Sequence, residues 1–198
     1  MNALEAAALI EAGYDGDLGS AARVKPAQDG AEAFLMQDGT LVIPGTNQLR
    51  DWRRYNLRVY SLRAVRSTGS YRFHSGFLIH ANRVLHWVKT KPVKRITGHS
   101  LGAASGQILA AILDVPAINF AAPKVALGTA AYRGEARIIN INRRDDRVAH
   151  VPRLAFRHLG HVAWMVDPKR NIGGDHEIGE YVDLLQLPQY QSLARTRT

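Results

Sequence analysis

Ser100 lies between Gly98 and Gly102 in the stretch ITGHSLGAASG, where a β-type run gives way to a helix-type run. A strand that turns directly into a helix brings backbone very close to the residue at the turn. The positions two before and two after that residue must then be nearly free of side chain. Gly98 and Gly102 meet this need, and Ala103, Ala104 and Gly106 let the following helix pack closely. The serine hydroxyl would stand exposed at the carboxyl end of a strand. The N–H of Leu101, at the helix N-terminus, would face any negative oxygen that forms beside it. This is the G-x-S-x-G pattern of a nucleophilic serine, and the flanking strand and helix make it specific.

A serine hydroxyl needs a base, and the base needs an orienting carboxylate. In the order Ser, acid, His, the acid candidates are Asp145 and Asp146 in IININRRDDRVAHVPRL, just past a strand end. The histidines that follow are His150, His158, His161 and His176. His176 lies in NIGGDHEIGEYV, after a glycine-rich loop and before the last helix, a setting that can carry an imidazole over the serine. His161 starts a strand and would be held in a sheet. His158 is the runner-up base. A second oxyanion donor should follow an early strand, and LVIPGTN offers the N–H and hydroxyl of Thr46.

The elements that must position these groups are legible as periodicities. Residues 3–13 suggest a helix, and 31–46 reads as two strands around the turn Asp38-Gly39. The second of these strands, 40–43, must stop at Pro44-Gly45. Phe77, Leu78, Ala81, Val84, Leu85 and Val88 have helix spacing over 75–91, and Pro92 ends that run. VKRITG is a short buried strand and 101–114 a helix. Residues 116–122, 136–142 and 161–166 are strands, and 176–187 is a final helix. Strands alternating with helices predict an α/β fold with a mostly parallel central sheet, an antiparallel edge and helices around it. At 198 residues the chain is expected to form one compact domain.

Composition narrows the chemistry. There is no cysteine, which excludes disulfide staples, thiolate metal sites and a cysteine nucleophile. No apolar run approaches the length needed to span a bilayer, and the N-terminus lacks the basic stretch of a secretory signal, so the expectation is a soluble chain, cytoplasmic unless another route exports it. The formal charge is +9, and a stripe of arginines (Arg50, Arg53, Arg54, Arg58, Arg63, Arg66, Arg72) is opposed by Asp51. Such a field favours anionic partners or a solvated basic face. Arg50, Arg53, Arg54 and Arg58 are the expected contacts to an anionic substrate or membrane surface. The competing reading is a non-catalytic protein that binds anionic membrane or nucleic acid through this face. A binding module has no need of an ordered Ser, Asp and His, so nucleic acid is not the expected partner.

Several segments, taken together and in order, resemble the class 3 lipases, α/β-hydrolases that include the fungal triacylglycerol lipases. ITGHSLGAASG resembles the family's G-H-S-L-G-[GA]-A elbow, and VIPGTNQLRDW its R-G-T oxyanion loop and following D-W. FHSGF is similar to V-H-x-G-F, INFAAPKVA to F-G-x-P-R-V-G, and NRRDDRVAHVP to N-x-x-D-x-V-P-x-x-P. RHLG is similar to Y-x-H-x-G and DHEIGEYV to D-H-x-x-Y. The resemblance covers about 31–185. It implies an α/β-hydrolase fold and an esterase or lipase acting on lipid or small esters without metal or cofactor. It implies Ser100 as nucleophile, Asp146 as acid, His176 as base, Thr46 and Leu101 as oxyanion donors, and a non-catalytic His158. The segment 47–72 falls where the family carries a lid. Pro44, Ala121 and Ala149 stand where the family has arginine, glycine and proline.

Overall fold

A computed structural model of the chain describes residues 1–19, 22–26, 29–45, 64–66 (backbone alone), 71–153, 155–168 and 176–196. Helix α1 (Ala3–Asp15) begins at a capping box. The Asn2 side chain accepts from Glu5 N–H at 2.9 Å, and Glu5 accepts from Asn2 N–H at 2.8 Å. Gly16 ends the helix at φ 70. Strands β1 (Ala22–Lys25), β2 (Ala33–Met36) and β3 (Thr40–Ile43) follow. The β2–β3 turn is the predicted one, with Gly39 at φ 86 and Asp38 Oδ1 accepting from Thr40 N–H at 2.9 Å.

Beyond β4 (Ala64–Arg66) and β5 (Arg72–His74) come helix α2 (Ser75–Val88), β6 (Arg95–His99) and helix α3 (Leu101–Leu113). Then come β7 (Ala117–Phe120), β8 (Ala126–Leu127), β9 (Ile138–Arg143), β10 (Phe156–Arg157), β11 (His161–Met165) and helix α4 (Ile178–Gln186). Among the described residues the main sheet has the order β1-β2-β3-β6-β7-β9-β11. It is parallel from β3 to β11 and antiparallel over β1-β2-β3. This is the expected parallel α/β sheet with its antiparallel edge.

Strands buried on both faces read as continuous apolar runs, and β3 and β7 are buried at every residue. One face carries α2 and α3, packed through Phe77, Leu78, Val84, Leu101, Ala104 and Ile108. The other carries α1 and α4, packed through Ala6, Ile10, Tyr181 and Leu184. The β6–α3 crossover therefore delivers its N-terminus to the carboxyl edge of a sheet whose two faces are both covered.

A second, smaller sheet (β10-β8-β5-β4) was not legible. Its strands run two or three residues, too short to carry a period, and one of them, β4, falls inside the segment 47–72 where the resemblance places a lid, with β5 beginning at its end. Glu135–Arg137 forms a turn rather than the start of β9, because Gly134 at φ 72 redirects the chain there.

Burial holds three histidines neutral. His80 and His158 are each pushed down to about 4, and His99 lies well below its ordinary value, in every case chiefly by desolvation. In the unfolded chain such groups take up a proton near about pH 6.5. Below that pH the unfolded state binds more protons than the folded one, so stability falls as pH drops through the window toward about 4. The slope is about 1.4 kcal/mol per pH unit for each histidine. Tm is therefore expected to fall steadily between about pH 6.5 and about pH 4.5. Equal melting temperatures at pH 7 and pH 5 would show that these rings are not held neutral by the fold.

Candidate active site

Ser100 follows β6 directly, at φ 57 and ψ −121. A residue with a side chain occupies that region only under constraint. The constraint is visible: Ser100 N–H donates to Phe120 O at 3.1 Å, and Ser100 O accepts from Ala104 N–H at 3.0 Å. A Cβ on Gly98 would lie 2.5 Å from Gly102 O. A Cβ on Gly102 would overlap the Ile43 carbonyl oxygen and sit 2.7 Å from that of Pro44. A Cβ on Gly106 would overlap Asn119 Oδ1. Gly98 and Gly102 thus face backbone that passes within contact of them, and Gly106 faces the buried Asn119 side chain.

The structure brings Ser100, His176 and Asp146 into one row. His176 Nε2 is 2.7 Å from Ser100 Oγ, and His176 Nδ1 is 2.9 Å from Asp146 Oδ2. Asp146 is 1% exposed and its Oδ1 accepts from Val148 N–H at 2.8 Å. An ionised carboxylate only accepts, so Nδ1 carries the proton of the neutral ring and Nε2 offers its lone pair to the serine O–H. Tyr181 O–H also donates to Asp146 Oδ2, at 2.8 Å, and accepts from Arg143 N–H at 3.2 Å. The imidazole is part-exposed, whereas Ser100 is 2% exposed: the turn predicts an exposed hydroxyl, and the structure instead buries the serine beneath the imidazole and the loop root at Gly45.

The competing residues are occupied elsewhere. Asp145 accepts from the guanidinium of Arg143 at 3.1 and 2.9 Å, and those bonds hold its carboxyl below the usual range. His158 is buried with Nε2 near Ala122 O (2.9 Å) and Ala149 O (3.1 Å). His150 is stacked on Trp164 and bonds Arg144 O at 2.9 Å. His161 opens β11 and is exposed. Of these four histidines His176 alone meets the serine.

The Leu101 N–H, first in α3, has no acceptor within the helix. Thr46, Arg50, Arg53, Arg54 and Arg58 lie outside the described residues, as does most of 47–72. The root of the Thr46 loop is described and lies against the serine, since a Cβ on Gly45 would sit 3.0 Å from Ser100 Cβ. Tyr14, at the end of α1, holds that root. Its hydroxyl accepts from Gly45 N–H at 2.7 Å and lies within hydrogen-bond distance of His99 Nδ1 at 2.6 Å. Burial pushes the Tyr14 hydroxyl up, so it stays protonated, and the His99 ring lies 4.9 Å from that of His176. No sequence signal marks Tyr14, which is 85 residues from His99. Ala121, where the resemblance has glycine, sits at φ 49, a conformation that costs a side-chain residue about 1 kcal/mol. Among the described residues no cluster of three or more side chains could hold a metal ion, and no helix is long and apolar enough to cross a membrane.

No protein-family model and no curated protein matches the chain. Solved structures do. Lipase II from Rhizopus niveus superposes with a TM-score of 0.59 at 19% identity, over 83% of this chain and 78% of that one. The mono- and diacylglycerol lipase from Aspergillus oryzae gives 0.55 at 18% identity, over 94% and 85%. A triacylglycerol lipase whose catalytic centre is formed by a serine protease triad gives 0.51 at 18%, over 84% and 76%. At such identities the likeness bears on architecture, and the chain has the α/β-hydrolase fold of these lipases.

Proposed function

We propose that the chain is a serine esterase or lipase that hydrolyses carboxylic esters, with lipid acyl esters as the substrate class, through an acyl-enzyme. The observation that carries this is the unbroken row Ser100 Oγ, His176 Nε2, His176 Nδ1, Asp146 Oδ2 on the strained strand-to-helix turn. In the proposed reaction His176 Nε2 takes the proton of Ser100 as Oγ attacks the ester carbonyl. The tetrahedral oxyanion is met by the N–H groups of Leu101 and Thr46. The imidazolium, held by Asp146, then gives its proton to the leaving alcohol. Water, deprotonated by the same nitrogen, releases the acid. The three structural neighbours, all lipases, support the ester class. The charge of +9 supports an anionic lipid surface as the site of action. The Asp145 and His158 assignments above leave no rival acid or base among the residues singled out from the sequence.

Fluorophosphonate labelling tests the reading. Covalent modification on the peptide that holds Ser100, with hydrolysis of p-nitrophenyl esters of increasing chain length below and above their aggregation concentration, is the expected result. A folded protein that takes no label and binds DNA with steep salt dependence would instead be the binding protein.

Tyr14 provides a second test. Tyr14→Phe leaves Gly45 N–H and His99 Nδ1 without their partner, an unsatisfied pair worth about 1–3 kcal/mol. The loop that carries Thr46 loses its tether to the serine turn. The expected outcome is a fall of about tenfold in kcat with Tm lower by several degrees. A Tyr14→Phe protein with wild-type kcat would show that the hydroxyl does not hold the oxyanion loop.

A further inference from the structure

Arg143 closes β9, and its side chain is 0% exposed. A buried guanidinium needs acceptors for its N–H groups. Three carboxylates supply them. Asp145 takes the Nε and Nη2 fork at 3.1 and 2.9 Å. Asp167, just beyond β11, lies 3.1 Å from Nη2, and Glu180, in the first turn of α4, lies 3.2 Å from Nη1. Burial draws the guanidinium down, yet its bonds to Asp145 and Glu180 and the charge of Asp167 hold it above its ordinary value.

One carboxylate would neutralise the cation. The other two add reach rather than charge balance, and the places they reach are specific. Asp145 is the chain neighbour of Asp146. Asp167 and Glu180 flank, one on each side, the segment that carries His176. The backbone N–H of Arg143 also donates to the Tyr181 hydroxyl that donates to Asp146 Oδ2. A single buried fork thus joins the loop of the carboxylate to both roots of the segment that bears the imidazole. Arginine suits this role and lysine does not, because an ammonium is a point charge without the planar fork.

We propose that Arg143 is a positioning residue for the Asp146–His176 pair: bonded to Asp145, Asp167 and Glu180, its guanidinium sets where carboxylate and imidazole meet. The inference rests on the serine-hydrolase reading and adds a role that reading does not need. Arg143 touches no reacting atom. It acts through the two roots it holds, and small displacements of a catalytic group are expensive in rate.

Glu180→Ala and Asp167→Ala each remove one arm while leaving the cation paired with two carboxylates, so both variants should fold. Each is expected to lower kcat on p-nitrophenyl butyrate by about fivefold with KM held within about twofold, and the double variant by about thirtyfold. Amide hydrogen exchange over 178–186 should quicken in both single variants. Arg133→Gln, which breaks an exposed pair with Asp114, is the control and should change neither reading. Wild-type kcat in both single variants overturns the proposal, even where Tm drops, since Arg143 would then serve folding alone. If fluorophosphonate does not label the wild-type protein, the hydrolase reading fails instead. Exchange over 178–186 then decides the clamp: quickened exchange supports it and unchanged exchange overturns it.

Discussion

Ser100→Ala is expected to lower kcat on p-nitrophenyl esters by about 10,000-fold to 1,000,000-fold while the protein stays folded. The substitution removes one atom, the Oγ that lies 2.7 Å from His176 Nε2. Alanine bears the same φ of 57 at no more strain than serine, and Gly98 and Gly102 still clear the turn. The loss is therefore chemical rather than structural. What remains would come from binding and from the oxyanion donors, which can still favour attack by water. A Tm within a few degrees of wild type, measured on the same preparation, separates the two kinds of loss. A folded Ser100→Ala protein with full esterase activity would remove the nucleophile and with it the proposed mechanism.

Gly102→Ala is expected to damage the fold itself. Its new methyl would overlap the backbone oxygen of Ile43 and sit 2.7 Å from that of Pro44. Neither atom belongs to a flexible side chain. Ile43 is the last residue of β3, paired in parallel with Gly98 of β6, and the sheet fixes its position. To admit the methyl, the start of α3 must lift away from the end of β3. That motion separates the serine turn from the loop root at Gly45 and breaks packing of α3 on the sheet. Overpacking of this kind costs about 3 kcal/mol or more, and at this chain length that lowers Tm by roughly 6–12 °C. Thermal melts and soluble yield check the effect. A Gly102→Ala protein with unchanged Tm would mean that the helix start is not pressed against β3.

How much of this was legible differs from residue to residue. The serine turn was, because its requirements are local: backbone that doubles back within a few residues demands glycines two before and two after. The hairpin at Asp38-Gly39 and the stop of β3 before Pro44 were legible for the same reason. Helix boundaries were less so. The run expected over 75–91 ends at Val88, and Lys91 N–H bonds back to Val88 O before Pro92. The choice of Asp146 over Asp145 came from family resemblance, not from spacing. The structure gives the physical reason, since Asp145 faces the Arg143 fork while Asp146 faces the imidazole and Tyr181.

The amino-acid order by itself determined the α/β alternation, the tight turn at residue 100 and the set of groups able to do the chemistry, because periodicity and steric clearance act over a few residues. Tertiary structure alone decided which of those groups meet. Strand order places the ends of β3, β6, β7 and β9 side by side, so a hydroxyl, a carboxylate and an imidazole far apart in the chain fall within hydrogen-bond reach. The same convergence recruits Tyr14, Tyr181 and Arg143. Their value lies in partners 31 to 85 residues away for Tyr14, and in carboxylates on three separate segments for Arg143. No local pattern can encode such partners.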